Sequence, residues 1–545
     1  MKDARGTARQ SQLINTYGIG SIIATGNETF MIAGLDTWPP AYKEEKLYEP
    51  RLAQRLGVRH FCMPPASKGR GVGSVVFPQM TFCTGCRRLD YRSKLVDGDK
   101  FVCRDCTSDL SPSRFVVACN RGHVDDFPYS GWVHQGKRPD GKHDMKLLAT
   151  GGALSLAGLE VHCSCGVKRS LAKIFNRGEL GLSCTGRTPW LQTKQREQCD
   201  ERMVTMQRGA SSVWGAKVES AITIPPWSSE AVQWMLDNAG AVGAMQREAI
   251  PAVLKGMFPD LTDDDARYAV RAYFEPVGDS SLLAQEYKAL LQGTAGMDDK
   301  TFVASRRPVP PSAAALGVSA LVKAERIREV RALYGFVRGK GDPESTVASS
   351  RTQLSRREVD WLPGVEVIGE GVFVDFAGAR VDAFLQSALS KERHAEQAVG
   401  TDIPASARYV LVHSLAHGLM AEFANYGGYP LASLKERIYA GEKQAGVLIY
   451  TSTSDSAGSL GGLAALAEPG QFEVILDGMI RRLTWCTNDP VCIESHQSGV
   501  DGRNMAACHA CMLAPEVSCE RRNSWLDRAL LVGTLARPKE GFLTA

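Results

Sequence analysis

Two closely spaced cysteine pairs, Cys83/Cys86 and Cys103/Cys106, are the feature that most constrains how this chain can fold. Sixteen residues separate the pairs in the stretch FCTGCRRLDYRSKLVDGDKFVCRDC. Each Cys-x-x-Cys forms a tight turn that directs two sulfur atoms at one ion, and this spacing is typical of a four-thiolate zinc ribbon. Soft thiolate ligands favour Zn²⁺ over Mg²⁺ or Ca²⁺. Because four sulfur atoms leave no open position for water, we expect a structural ion.

Four further cysteines lie within 37 residues, among turns that contain Gly, Thr and Pro. Together they can close a second zinc site, although only one pair is closely spaced. This predicted site consists of Cys163, Cys165, Cys184 and Cys199. Upstream, Cys119, His123 and His134 could complete or replace these ligands. A histidine near aromatic residues is more often a hydrogen-bonded structural residue, so we favour structural roles for both histidines.

A third cysteine cluster lies near the C-terminus, in WCTNDPVC and AACHACMLAPEVSC. Cys508 and Cys511 form the obvious pair, and Cys519 follows after a short loop. The fourth ligand is Cys486 or Cys492, and the spacing does not choose between them. A closed site is again the simplest interpretation. The sequence therefore predicts two to three structural zinc ions in all.

Length and composition restrict the class of protein. A chain of 545 residues is too long for one core. Its start, MKDARGTARQ, is polar and lacks a secretory signal, and no run of about 18 apolar residues predicts a membrane helix. Fifteen cysteines without an export signal indicate a reducing compartment, where thiols bind metal more often than they pair. We expect a cytoplasmic protein with no membrane partner.

The organisation along the chain predicts a multidomain α+β fold. It combines N-terminal zinc-ribbon-like modules, a central helical region and a C-terminal α/β domain with a Cys-rich zinc site. Four segments are expected: an N-terminal segment, a region with two Cys clusters, a helical basic region, and a zinc-binding domain. Their bounds are 1–75, 76–227, 228–357 and 358–545.

The third segment carries a local excess of positive charge. Residues 306–357 hold eleven Lys and Arg against four acidic residues, whereas the whole chain has a net charge of only +4. The stretch KAERIREVRALYGFVRGKG has apolar residues at helical spacing, which predicts a helix. Arginines beside aromatic residues suit a nucleic-acid backbone, although a solvated amphipathic helix is an equal alternative. The candidate nucleic-acid-binding residues are Arg326, Arg328, Arg331, Arg338 and Lys340.

Motifs for catalysis are largely missing from the sequence. No G-x-x-x-x-G-K-[ST] phosphate loop occurs, so we expect no ATP hydrolysis by this chain alone. His413 and His417 lie four residues apart on a predicted helix, but Ser414 stands where a zincin has its glutamate. We therefore favour a packing role for this pair in an apolar helix. An unrecognised metal site around His123, Asp125, Asp126 and His134 would be the basis of an alternative, enzymatic function.

Several segments together resemble a known family. They include RQSQLINTYGIGSII, ACNRGHVDDFPYSGWVH, CTGRTPWL, EVRALYGFVR, LVHSLAHGLM, LKERIYA, VLIYTSTSDSAGSLGGL and ACHACMLAPEVSCERRNSWLDRALL. The chain resembles the DrmB family, a core subunit of the bacterial antiphage system DISARM. Its C-terminal third is similar to a zinc-binding domain found behind the motor of certain superfamily 2 DNA helicases. In that domain four cysteines hold one zinc, and Cys508, Cys511 and Cys519 match the closely spaced ones.

The resemblance implies a partner, because DrmB works with a separate helicase subunit of the DrmA type. We therefore expect a non-catalytic zinc-containing subunit that associates with this helicase and supports DNA binding, through the complex, in antiphage defence. The alternative is a metal-dependent nucleic-acid-processing enzyme with a site near His123, Asp125 and His134. A third possibility is an assembly protein that binds the motor and never contacts DNA.

Overall fold

The computed structural model of the chain comprises two compact units, each built from discontinuous segments. The first unit contains Met1–Tyr48, Leu52–Ser220 and Arg331–Val365, and the second contains Glu49–Arg51, Ala221–Val330 and Glu366–Ala545. The four consecutive segments expected from the sequence stay a prediction. The structure describes residues 8–38, 46–65, 71–98, 100–137, 140–141, 143–150, 155–176, 178–179, 181–274, 281–294, 301–339, 347–398, 405–451, 462–499 and 502–544.

The N-terminal part of the chain consists mainly of short strands. The elements up to residue 223 are α1 Gln12–Asn15, β1 Ile22–Thr25, β2 Glu28–Ile32, β3 Lys46–Leu47, α2 Pro50–Leu56, β4 His60–Cys62, β5 Ser74–Val76, β6 Met80–Cys83, β7 Arg88–Tyr91, α3 Arg92–Leu95, β8 Val96–Asp97, β9 Lys100–Cys103, β10 Leu110–Pro112, β11 Phe115–Ala118, β12 Val124–Asp126, α4 Tyr129–Val133, β13 Met145–Ala149, β14 Leu159–Cys163, β15 Lys168–Ser170, β16 Val204–Gln207 and β17 Gly215–Thr223.

Longer helices and strands follow. The remaining elements are α5 Glu230–Asp237, α6 Ala239–Gly243, α7 Ile250–Met257, α8 Asp263–Phe274, α9 Leu282–Gln292, β18 Phe302–Arg307, α10 Pro311–Ala315, β19 Val318–Val337, α11 Val347–Thr352, β20 Trp361–Phe376, α12 Gly378–Leu385, α13 Ala388–Ala398, α14 Ala407–Gly427, β21 Leu434–Tyr439, β22 Gly446–Thr451, α15 Gln471–Thr484 and α16 Ala529–Val532. The predicted mixed α+β fold class is confirmed.

Small antiparallel sheets carry the cysteines of the first unit. The largest of them has the strand order β10-β6-β7-β13-β14-β15, and a three-stranded sheet has the order β12-β11-β16. Cys83 ends β6 opposite Leu110, and Cys163 ends β14 opposite Met145. A cysteine at a strand end enters a turn directly, so its sulfur can face a second turn. The sheets therefore place potential ligands where the hairpins end.

The second unit is built around a sheet and one buried helix. Within this unit the strand order is β19-β20-β22-β21, formed by residues 318–330 of β19 and 366–376 of β20, with β18 also paired to β19. Helix α14 packs on β21 and β22, and most of its circumference is buried, as expected of a helix in the middle of a core. The Ser406 side chain accepts the Tyr409 N–H at its start, and Gly428, with a φ of 71°, ends it in the left-handed conformation.

The helix predicted for residues 323–341 is wrong, because residues 323–337 of this segment belong to strand β19, and residues 340–341 lie outside the described part of the chain. β19 lies between β17 and β20, and its residues are buried on both faces over most of its length. A strand covered on both sides has no simple alternation of apolar and polar residues, so apolar residues can match a helical spacing by chance. The helices predicted from SSEAVQWMLDNA and LTDDDARYAVRAYF, in contrast, are confirmed as α5 and α8.

A buried ion pair joins α9 to β21 in the second unit. The Arg437 guanidinium donates two hydrogen bonds to the Glu286 carboxylate, one of 2.8 Å, and both side chains are buried. Glu286 also accepts the Ile222 N–H at 3.0 Å. The desolvated Arg437 has a pKa raised far above its usual value by the Glu286 charge, against the effect of burial. A charge buried in this way is tolerated only while its partner is present.

Replacing Glu286 with Leu should therefore destabilise the second unit. We expect a loss of about 3–5 kcal/mol in the free energy of unfolding, because the buried Arg437 guanidinium loses the carboxylate that accepts two of its hydrogen bonds. The matched control is Glu286→Leu combined with Arg437→Met, which removes both charges. Urea unfolding should find the double variant more stable than the single one. A double variant that is no more stable than Glu286→Leu alone would contradict the ion pair.

Candidate metal centres

Among the residues that the structure describes, cysteine and histidine side chains alone form four groups whose possible ligand atoms all lie within 4.8 Å of one another. The first group is the predicted ribbon, with Cys83, Cys86, Cys103 and Cys106. Its sulfur atoms are 3.3 Å apart between Cys83 and Cys106 and 3.9 Å apart between Cys86 and Cys103. A tetrahedral ion with Zn–S bonds of about 2.3 Å separates its ligands by about 3.8 Å. The geometry fits one zinc ion.

Matching turns form the two halves of the first group. The Arg87 N–H donates to the Cys83 carbonyl and the Thr107 N–H donates to the Cys103 carbonyl, at 3.1 and 2.8 Å. Arg87 and Thr107 each have a positive φ, which aims the two sulfur atoms of a turn in one direction. Ser108, through its hydroxyl and its N–H, lowers the pKa of Cys106 to about 6. One ligand is therefore ready to act as a thiolate.

The second group joins a tight turn between β11 and β12 to a later loop. It consists of Cys119, His123, Cys184 and Cys199. His123 Nδ1 lies 3.5 Å from the Cys119 sulfur and 3.4 Å from the Cys184 sulfur. Its Nε2 lies 2.9 Å from a Glu197 carboxylate oxygen, which can only accept, so Nε2 carries the proton. A carboxylate behind a histidine is the arrangement that orients a zinc-binding imidazole.

The third group lies beside the end of α4. It consists of His134, His143, Cys163 and Cys165. His143 Nδ1 is 3.1 Å from the Cys163 sulfur, and His134 Nε2 is 3.5 Å from the Cys165 sulfur. The other ring nitrogen of each histidine donates to a backbone carbonyl, at 2.8 Å for His134 and 2.9 Å for His143. Both imidazoles therefore present an unprotonated nitrogen to the sulfur atoms.

The fourth group lies after α15 and consists of Cys486, Cys492, Cys508 and Cys511. Its neighbouring sulfur atoms are 3.5–3.7 Å apart. The Asn488 side chain donates to the Cys508 sulfur at 3.3 Å. Burial raises the pKa of Cys508, but the hydrogen bonds to its sulfur, the one from Asn488 first among them, outweigh burial and lower the pKa to about 7. Cys486 and Cys492 thus both lie in the group, where the sequence offered them as alternatives for one position.

The structure divides the predicted ligands differently from the sequence in two places. Cys163 and Cys165 lie in the third group, whereas Cys184 and Cys199 lie in the second, so one expected site becomes two. Cys519 lies apart from Cys508 and Cys511, among His413, His417 and Glu436. His123 and His134 both face sulfur atoms, which favours the alternative that these histidines complete or replace the predicted ligands.

His143 and Glu436 did not feature in the sequence analysis at all. The signal for His123 was its short distance from a cysteine, in Cys119-x-x-x-His123. No comparable local spacing marks His143, which lies 20 residues before the cysteine that it contacts. Sequence spacing finds ligands that share a turn, and it misses those brought together by strand pairing.

The arginines proposed to bind nucleic acid do not form an exposed surface. The Arg338 guanidinium is fully buried and donates to the carbonyls of Gly122, Val213 and Gly20 at 2.6–2.9 Å. Arg331 is buried as well. These two side chains cannot reach a phosphate from their buried positions, so they do not support the predicted nucleic-acid surface.

The other predicted nucleic-acid-binding residues do not form an exposed basic surface within the described part of the chain. Arg328 is buried and pairs with Glu366 at 2.7 Å. Arg326 is half-buried on β19, and Lys340 lies outside the described residues.

The two aspartates of the alternative enzymatic site are already engaged. The Arg187 guanidinium donates to Asp125, and the Thr185 hydroxyl donates to the same carboxylate at 2.9 Å. Asp126 accepts the Met80 N–H at 2.7 Å. Burial, helped by the Asp125 charge, raises the pKa of Asp126 to about 6, although the Met80 N–H lowers it. Neither carboxylate joins the histidines of the second and third groups.

Comparison with known proteins was made for the whole chain. Residues 9–215 match the model of a domain of unknown function, DUF8724, and residues 415–512 match the MrfA Zn-binding domain. The chain is 29% identical to a protein described as DISARM protein DrmB, from Bacillus paralicheniformis, over 93% of this chain and 97% of that protein. The predicted resemblance to DrmB is therefore confirmed.

The match to the MrfA Zn-binding domain agrees with the donor set of the fourth group. The range matched by the MrfA Zn-binding domain includes all four cysteines of the fourth group. The chain therefore carries a zinc-binding domain, and its Cys-rich groups fit structural zinc ions. In the described part of the chain, no helix has both the length and the apolar composition needed to cross a membrane.

The division into second and third groups can be tested by counting zinc. Cys184→Ser and Cys163→Ser should each remove about one zinc per chain, and the double variant should remove two, because each variant opens a different group. Elemental analysis of the purified chain measures this. The control is Cys62→Ser, since Cys62 lies outside all of these groups. A double variant that lacks only one zinc would restore the single site expected from the sequence.

Asp126 should make the first unit less stable as pH rises. Its carboxyl has a pKa of about 6 in the folded chain, above the ordinary value of 3.8, so the unfolded chain loses this proton first. Between pH 5 and pH 7 the wild type should lose about 1 kcal/mol that Asp126→Asn does not lose. Urea unfolding with excess zinc at both pH values measures the difference. The exposed Asp97→Asn is the control, and an equal pH dependence in all three proteins would contradict this assignment.

Proposed function

We propose that this chain is a zinc-containing subunit of a DISARM-type antiphage system that performs no catalysis itself. In this proposal it associates with a superfamily 2 helicase of the DrmA type and supports DNA binding by the complex. The extent of the similarity to DISARM protein DrmB supports the system, because it covers nearly the full length of both chains. The zinc supplies cross-links, and the partner supplies the motor.

The observation that carries the non-catalytic part is that protein side chains close every one of the four groups. Each contains four ligands, and each ligand comes from Cys or His. A catalytic zinc keeps a position for water or substrate, whereas a structural zinc has four protein ligands. We therefore propose that all four zinc ions have a structural role. The lack of a phosphate loop in the sequence agrees with a separate subunit for ATP hydrolysis.

We place the helicase-docking surface beside the fourth group. Trp485 is 68% exposed and Val491 is 79% exposed, and each precedes a cysteine of that group. A large exposed tryptophan on a rigid segment is typical of the residues that dominate protein interfaces. Because zinc would fix both flanking cysteines, these two apolar side chains would be held in place before the partner arrives.

DNA contact is proposed for the complex and is assigned to no side chain of this subunit. The arginine set predicted from the sequence is largely buried, so it no longer supports direct contact. If the complex binds the phosphate backbone, its affinity should fall steeply with salt and depend little on base sequence. An assembly subunit without DNA contact would change the complex's stability and leave its DNA affinity unchanged.

The first test is co-expression with the neighbouring helicase, followed by gel filtration, ATPase assays and DNA binding at several salt concentrations. We expect the two chains to co-elute, this chain alone to hydrolyse no ATP, and the pair to bind DNA more tightly than the helicase alone. The double variant Trp485→Ala/Val491→Ala should bind the helicase at least tenfold more weakly and co-elute less with it. A buried aromatic anchor contributes about 2 kcal/mol or more to the binding free energy.

The matched control is Tyr268→Ala, which removes another exposed aromatic side chain from the second unit. Zinc content should stay the same in all variants, since none of these residues is a ligand. DNA cleavage by the isolated chain, lost on His123→Ala, would instead favour the enzymatic alternative. Unchanged co-elution of the double variant would place the docking surface elsewhere.

A further inference from the structure

A fifth group of possible ligands lies in the core of the second unit, where the sequence predicted a packing role for His413 and His417. His413 and His417 are one helical turn apart on α14, Glu436 lies in β21, and Cys519 lies in a loop beside both. All four side chains are buried. Their possible ligand atoms lie within 4.8 Å of one another, as in the four groups already described. Such a cluster in an apolar core requires an explanation of where its charges and protons are.

The distances within this fifth group lie at or slightly below those of a zinc ligand shell. His413 Nε2 lies 3.0 Å from one Glu436 oxygen and 3.2 Å from the Cys519 sulfur. His417 Nε2 lies 3.4 Å from the other Glu436 oxygen. Zinc bonds of about 2.0–2.3 Å in a tetrahedron place the ligand atoms about 3.3–3.8 Å apart. The first and fourth groups show separations of 3.3–3.9 Å.

Hydrogen bonding determines which nitrogen of His417 is free. Its Nδ1 lies 2.8 Å from the Met512 carbonyl oxygen, which can only accept, so Nδ1 carries the proton. In a neutral imidazole Nε2 is then an acceptor, and it faces a carboxylate oxygen that is also an acceptor. Within the described residues, neither His417 Nε2 nor that Glu436 oxygen has a hydrogen-bond partner. A cation between them would satisfy both atoms.

Two backbone N–H groups would support a thiolate at Cys519, although burial raises the pKa of its thiol in the metal-free chain. The Cys519 sulfur accepts the backbone N–H groups of Arg521 and Asn523, at 3.4 and 3.2 Å. In the fourth group, the Cys486 sulfur accepts a similar bond at 3.5 Å from the N–H of Asn488, two residues later in the chain. N–H donors stabilise a thiolate more than a thiol. Glu436 is held in a comparable way, since the Glu520 N–H donates to it at 3.1 Å.

We propose that His413, His417, Glu436 and Cys519 bind one structural zinc ion that ties α14 to β21 and to the loop around residue 519. Two neutral imidazoles, one carboxylate and one thiolate form a set that suits Zn²⁺, and four protein ligands leave no position for water. One divalent ion with two anionic ligands has no net charge, which keeps the cost of burial low. The range matched by the MrfA Zn-binding domain, 415–512, includes neither His413 nor Cys519.

The competing arrangement is a hydrogen-bonded cluster in which a protonated imidazole pairs with Glu436 and no metal is present. It predicts no loss of zinc when these residues are replaced. It also requires His417 to point both nitrogens at acceptors, although the 3.4 Å separation to Glu436 is not a hydrogen bond in this structure. Counting the metal therefore separates the two arrangements.

The test uses the full chain, purified without added metal and analysed for zinc, iron, nickel, cobalt, copper and manganese. Cys519→Ser and His417→Gln should each lower the zinc content by about one per chain. Combining either with Cys511→Ser should lower it by about two, because Cys511 belongs to the fourth group. Cys62→Ser and His394→Gln are the matched controls, and both should keep the wild-type content.

Unchanged zinc in folded Cys519→Ser and His417→Gln proteins would overturn the proposal, and so would the loss of a metal other than zinc. A second measurement covers variants that fail to fold. Zinc-edge anomalous scattering from crystals of the wild-type chain should show a peak among the four side chains. Peaks at the cysteine groups with none at this place would reject the fifth site.

Discussion

Metal ligation takes the place of a hydrophobic core in the hairpins of the first unit. The buried residues around the first group are two cysteines and two leucines, Cys83, Cys103, Leu95 and Leu110. Strands of two to four residues with so little apolar surface are not stable in water on their own. A thiolate-bound ion supplies this missing free energy, since binding to such ligands is coupled to folding. We therefore expect the hairpins around the first group to depend on zinc more than on packing, whereas other strands of the first unit pack on a separate apolar core.

The second unit has the opposite balance. Its core is large, with α14 buried against a sheet and against α15, and it does not need metal to exclude water. In this unit the fourth group fixes the position of the segment that follows α15. The chain after α15 forms few regular elements, and the fourth group holds two of its turns together. Zinc in this unit orders a region that hydrogen bonds of helices and strands do not reach.

Local spacing explains how much of the sites could be predicted from the sequence. Cys83, Cys86, Cys103 and Cys106 were grouped correctly because each pair shares one turn and the pairs end adjacent hairpins. The partition between the second and third groups depends on which loop folds back to β12 and which to α4, and no short-range pattern contains that information. The same limit applies to β19, where the pairing of distant strands overrode a spacing that favoured a helix.

The net charge of each ligand set is related to how deeply the set is buried and to the charged residues beside it. Four thiolates around one zinc leave two negative charges, and the first group offsets part of this cost by leaving Cys86 and Cys106 half-exposed. In the fourth group, the buried Arg528 guanidinium lies close enough to Cys492 and Cys511 for their charges to interact. The third group, with two histidines, needs no such counter-charge. The proposed fifth site lies deepest and has the one set that combines imidazole, carboxylate and thiolate, so its neutral balance is the composition that full burial requires.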